Sequence, residues 1–212
     1  MKPFKTRALA VLTALLLLVW TIPQSAKALI KLDSDSINDA IKYGLQNEDA
    51  GLYELLGPNW IEGKDGALLN VYSPFMLIAT MAAKKGLPSD TGDANVKEAR
   101  RRLVRIISRL EDPHDPLKIK FAVSFLGPTP DFASHYAARI EGVGRGRTAE
   151  VKPVTNYLEK QAADAGTGGL FQAVNSYYFN YDDLVNFEEY DLILENPEGK
   201  QVIFHVKNSE IY

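Results

Sequence analysis

The sequence predicts an α+β fold, with N-terminal helices packed on a C-terminal antiparallel β-sheet or small β-sandwich. Three observations predict it. Apolar residues recur at helical spacing through residues 33–110 and alternate with period two through much of 116–207. Turn chemistry, rather than helix caps, punctuates the second half. The two patterns follow one another instead of alternating, which argues against a parallel βαβ architecture.

Residues 1–28 read as a secretory leader. Lys2, Lys5 and Arg7 make a basic start, Ala8 to Ile22 is an uncharged apolar run, and Ala26-Lys27-Ala28 offers small residues at a cleavage site. The run falls short of the roughly 20 residues of a membrane-spanning helix. Cleavage after Ala28 therefore predicts a secreted or periplasmic protein without a transmembrane span, whose remaining 184 residues form a single α+β domain, helical over 33–110 and β-rich over 116–207. The chain has no cysteine, which excludes disulfides, thiol catalysis and thiolate metal sites. It carries 24 basic and 27 acidic residues; four of the cations and none of the acids lie in the leader, so the rest has a formal charge of −7. An acidic surface is a poor match for nucleic acid, whose binding depends on neutralising phosphates.

The first helix is expected to open at Ser36-Ile-Asn-Asp39, a capping-box pattern, and to place Ile37, Ala40, Ile41 and Leu45 on one face. It breaks near Asn47, resumes at Leu52, Leu55 and Leu56, and stops at Gly57-Pro58. Ala67 to Tyr72 is a short apolar run that suits a strand or a helix lead-in. Ser73 caps the next helix, Pro74 occupies its first turn and Gly86 ends it. A further amphipathic helix is predicted over 96–110, with Val96, Leu103, Ile107 and Leu110 on its apolar face and Arg101, Arg102, Arg105 and Arg109 on the other.

After Glu111-Asp112-Pro113-His114-Asp115-Pro116 the period changes. Ile119, Phe121, Val123 and Phe125 alternate with small or polar residues, as in a strand with one buried face. Residues 131–140 suit a short helix or a strand, 142–147 a flexible basic loop, and 157–165 a helical turn. Leu170 to Tyr178 reads as a strand. Tyr190–Glu195 and Lys200–Val206 flank Asn196-Pro197-Glu198-Gly199, which has the residues of a tight hairpin.

Candidate chemistry is sparse. His114 lies between Asp112 and Asp115, a pattern that orients an imidazole for general-base work or serves as a solvated turn. On a helix His135 would share a face with Asp131 and Arg139. His205 is expected to face solvent from the last strand. No Gly-x-Ser-x-Gly elbow, phosphate loop or paired-histidine metal spacing is present, and no cofactor is implied. Tyr178 and Tyr181, in an aromatic stretch running to Tyr190, are candidates for stacking on a ligand, with Arg101 and Arg105 as a local basic patch. The expected role is that of a non-enzymatic binding protein for a protein or polymer of the cell envelope or extracellular space. A secreted hydrolase built on His114 or His135 and carboxylates is the alternative, and a structural or assembly subunit the third reading.

Overall fold

The structure, a computed structural model, describes residues 33–63, 66–85, 117–144, 147–166 and 168–212. The expected leader, the helix over 96–110 and the Asp112–Asp115 junction lie outside the described residues.

Helix α1 spans Ser34–Gln46. It starts three residues earlier than the Ser36 capping box predicts, because Asp33 is the better cap: its carboxylate accepts from the Ser36 N–H at 2.8 Å, while Ser36 Oγ accepts from the Asp33 N–H at 2.7 Å. Helix α2 (Leu52–Leu56) follows the break at Asn47, and the Tyr43 hydroxyl donates to the Leu55 carbonyl to hold the two together. Strands β1 (Trp60–Glu62) and β2 (Leu68–Tyr72) come next, then helix α3 (Pro74–Lys85), whose Met76 N–H bonds Ser73 Oγ as expected of a cap.

The rest of the described chain is β3 (Lys118–Gly127), a 3₁₀ turn at Phe132–His135, β4 (Ala137–Gly144), β5 (Arg147–Val151), β6 (Thr155–Tyr157), β7 (Ala163–Asp164), β8 (Phe171–Asn180), a one-turn helix α4 (Tyr181–Leu184), β9 (Glu189–Glu195) and β10 (Gln201–Lys207). The strands form two antiparallel sheets. Sheet A has the order β1-β2-β3-β8-β6, with β7 also on β8; sheet B has the order β10-β9-β4-β5. The fold is α+β, as predicted. The separation of helices from strands is looser than expected, since β1 and β2 precede α3 and pair onto β3.

The sheets pack face to face. Leu69, Val71, Ile119, Phe121, Val123, Phe125, Tyr177 and Phe179 of sheet A meet Ile140, Tyr190, Leu192, Leu194, Phe204 and Val206 of sheet B in one buried cluster. Phe121 reaches across to Tyr190, ring centroids 6.2 Å apart. Each large side chain buried this way contributes about 1.5–3 kcal/mol. A second cluster, built from Ala40, Leu56, Phe75, Met76 and Ile78, packs against Trp60 and Tyr72 on the opposite side of sheet A. Helices α1 and α3 come into close contact at Gly44, where a Cβ would run into the Ala79 carbonyl and the Ala82 methyl.

Two local expectations are corrected, and a third, left open between helix and strand, is resolved. Of residues 142–147, expected as a flexible loop, Gly142 and Gly144 belong to β4 and Arg147 to its partner strand β5, while 145–146 lie outside the described residues. Gly142 is needed there because a Cβ would lie 2.9 Å from both the Phe187 ring and the Tyr190 Cβ. Residues 157–165 are not a helical turn; they carry the end of β6 and all of β7, held by pairing with β8. Residues 131–140 divide between a 3₁₀ turn and the start of β4. The final hairpin forms as its residues predict: Gly199 has φ +79°, and Asn196 Oδ1 accepts from the Glu198 and Lys200 N–H groups.

Candidate functional site

The groove that brings polar, cationic and aromatic groups together lies beside β6. It has a volume of about 620 Å³ and is lined by Ser134 and His135 from the 3₁₀ turn and by Asn156, Tyr157, Leu158 and Lys160 from β6 and its continuation. Its two walls are far apart in sequence. Buried Asn175 on β8 joins them: its side-chain amide donates to the Ala133 carbonyl at 2.8 Å and to the Tyr177 hydroxyl at 3.1 Å, and its oxygen accepts from the Glu159 N–H at 2.9 Å. The Tyr177 hydroxyl donates onward to the Tyr136 carbonyl. Burial pushes the Tyr177 phenol far up, with the Asn175 hydrogen bond acting in the opposite direction, so the network keeps its proton.

Tyr157 is the groove's most prominent apolar surface, 66 % exposed. Tyr178 meets it edge-on, centroids 5.7 Å apart, which limits its motion. The walls present a hydroxyl, an imidazole, a carboxamide, a phenol and an ammonium, and no carboxylate is among these described lining groups. The neighbouring Glu159 carboxylate accepts from the Val174 N–H at 2.6 Å.

The predicted site residues are scattered. His114, Asp112, Asp115, Arg101 and Arg105 lie outside the described residues. His135 is exposed and lines the groove. The helical ladder through Asp131, His135 and Arg139 does not form, because the chain changes from 3₁₀ turn to strand after His135; Arg139 instead bonds Glu141 at 2.7 Å and Glu195 at 3.0 Å. Tyr178 is partly exposed, but Tyr181 is only 6 % exposed and belongs to the core. Tyr181 begins α4, with its N–H bonded to the Leu117 carbonyl, and this turn carries its ring inward. Tyr177, Phe179, Phe187 and Tyr190 are core as well.

His205 faces solvent, as expected, on the outer side of sheet B. Its Nδ1 is 2.9 Å from Asp191 Oδ1 and its Nε2 3.4 Å from Glu189 Oε2. Both ring nitrogens therefore face carboxylates, which leaves neither directed at a nucleophile. Among the described residues no group of three or more histidines and carboxylates is placed to hold a metal ion, and no helix is long and apolar enough to cross a membrane.

Ser134, Asn156, Tyr157, Leu158 and Lys160 were not among the sequence candidates; for the last three, the expectation of a helical turn over 157–165 hid the extended segment. Pro153-Val154-Thr155 was the available signal, since β-branched residues after a proline favour an extended segment. No protein family, curated protein or solved structure matches the chain.

Proposed function

We propose that the chain is an exported, non-enzymatic binding protein for a sugar-containing polymer of the cell envelope or extracellular space, and that the groove beside β6 is its contact site. The observation that carries this reading is the exposed, braced ring of Tyr157 next to hydrogen-bonding groups on both walls. An aromatic face offers a pyranose ring apolar area at little entropic cost, and fixed polar groups beside it select hydroxyl positions. Lys160 and His135 favour a saccharide that carries carboxylate or N-acyl groups. The leader-like N-terminus supports export. A hydrolase draws less support, since the described groove lining has no carboxylate and both nitrogens of His205 face acids.

The test is a titration of ¹⁵N-labelled protein with chitohexaose and with oligogalacturonate. Saturable shifts at residues 134–135 and 156–160 are expected with at least one probe. Tyr157→Ala, a change at an exposed position, should weaken that binding about tenfold, the equivalent of roughly 1.4 kcal/mol. Absence of saturable shifts with both probes, or binding indifferent to Tyr157→Ala, removes the groove as the site.

A further inference from the structure

Strand β10 is a sheet edge, and its hydrogen-bonding direction follows from its hairpin. The Asn196 N–H bonds the Lys200 carbonyl and the Asn208 N–H bonds the Glu188 carbonyl. Both pairs lie on the β9–β10 register, in which Gln201 faces Glu195 and Lys207 faces Glu189. Hydrogen-bonded pairs alternate along an antiparallel ladder. The even-numbered residues of β10 therefore bond β9, and Gln201, Ile203, His205 and Lys207 turn their N–H and C=O groups to the free edge. Among the described residues β10 pairs with β9 alone.

From this edge we infer that the protein self-associates by antiparallel pairing of β10 with β10 of a second copy, centred on Ile203. Several registers preserve a two-fold axis and use outward-facing groups. Those centred on Phe204 and His205 require the Lys207 carbonyl, which already accepts from the Glu210 N–H at 3.0 Å, and the one centred on Val202 makes only four backbone hydrogen bonds between the strands. The register centred on Ile203 pairs Ile203 with its own copy and Gln201 with His205 at each end. It makes six backbone hydrogen bonds and does not need the Lys207 carbonyl. It also sets two Ile203 side chains, each 43 % exposed, against one another beside Ile193, its cross-strand neighbour on β9. Edge strands are ordinarily guarded by proline, a bulge or a central charge. The middle of β10, Val202-Ile203-Phe204, has none of these; its lysine lies at the end, at Lys207. A second copy is the occupant that satisfies both the register and the isoleucine contact, because the edge is complementary to itself.

A five-residue edge buries less than the roughly 1,200 Å² of a standard interface, so the dimer is weak and depends on concentration. Sedimentation equilibrium of the full chain, carried to millimolar concentration, should show monomer passing to dimer. Ile203→Lys should weaken association about tenfold or more, whereas Val143→Lys, an exposed site elsewhere on sheet B, should leave it unchanged. The chain has no cysteine, so Ile203→Cys supplies a single thiol. A hydrogen-bonded antiparallel pair holds its Cα atoms about 5.5 Å apart, within disulfide range, so mild oxidation should cross-link this variant to itself. Cross-linking does not depend on whether Ile203→Lys folds. A protein that stays monomeric throughout overturns the inference. So does association that both lysine variants leave intact with no Ile203→Cys cross-link, which would place the contact elsewhere, including the apolar N-terminal segment. Binding of a different polypeptide at this edge by a chain that does not dimerise overturns it as well.

Discussion

Asn175 is the residue whose loss should disturb both the stability and the groove, and the size of the effect can be worked out. Its side chain makes three hydrogen bonds, to the Ala133 carbonyl, the Tyr177 hydroxyl and the Glu159 N–H, in a fully buried position. A buried hydrogen bond contributes about 1 kcal/mol net, and a stranded partner adds a desolvation cost, so Asn175→Ala should destabilise by about 3–4 kcal/mol. For a chain of this size each kcal/mol lowers Tm by about 2–4 °C, which gives a fall of about 6–16 °C. Circular dichroism during thermal and urea unfolding measures both. Tyr177→Phe, which removes the hydroxyl shared by Asn175 and the Tyr136 carbonyl, should cost about 1–2 kcal/mol. The two changes act on one network, so the double variant should lose less than their sum, by about 0.5 kcal/mol or more. Amide signals from 134–135 and 158–160 should shift in both single variants. A loss below about 1 kcal/mol for Asn175→Ala, or strict additivity with Tyr177→Phe, would refute the claim that this network ties the groove walls to the sheet.

The buried phenols set the alkaline limit. Burial raises Tyr177 and Tyr190 well above the ordinary value of 10.0, so the folded protein holds two protons that the unfolded chain releases above about pH 10. Stability should therefore be unaffected by these groups below pH 10 and fall above it, by about 2.7 kcal/mol per pH unit for the two together. Urea midpoints from pH 8 to 11.5 test the slope, and Tyr177→Phe should lower it by about 1.4 kcal/mol per pH unit. Tyr190→Phe should leave the fold unchanged or stabilise it by about 1 kcal/mol, because the Tyr190 hydroxyl is buried without a hydrogen-bond partner among the described residues; destabilisation on chemical unfolding would point to a partner for it. Gly44→Ala should cost about 1–3 kcal/mol in spite of alanine's better helix propensity, since the methyl meets the Ala79 backbone; a rise in Tm would mean that α1 and α3 can separate without loss.

The elements read correctly from sequence were those in which local chemistry and burial agree. β3 places Ile119, Phe121, Val123 and Phe125 on one face, and all four are buried against sheet B. The β9–β10 turn has proline, asparagine and glycine where the backbone requires them. The errors fell where tertiary pairing decides. β6 and β7 are three and two residues long and exposed; they are strands because β8 offers them partners, not because of their own periodicity. Gly142-x-Gly144 looked mobile because glycine is permissive, whereas Gly142 serves close approach to Phe187 and Tyr190. In the aromatic stretch, strand alternation puts Tyr177 and Phe179 on one face and Tyr178 on the other, and the structure shows the first face to be the buried one. Alternation could not follow the turn at Tyr181, where α4 resets the phase. The groove itself was not legible, because its walls are joined by long-range contacts, chiefly those of Asn175, an ordinary strand residue in sequence, and the Ala162 N–H to Pro130 carbonyl bond.

Tyr212 has a place in the order of assembly. Its N–H bonds Asn59 Oδ1, its carbonyl lies 3.4 Å from Asn59 Nδ2, and its ring stands beside Phe75 and Tyr43 of the helical layer. Asn59 and Tyr212 are 153 positions apart. A chain emerging vectorially from the ribosome would thus have α1 and α3 available long before the residue that completes their aromatic packing arrives. The helices would wait, partly uncovered, until synthesis had passed the whole sandwich.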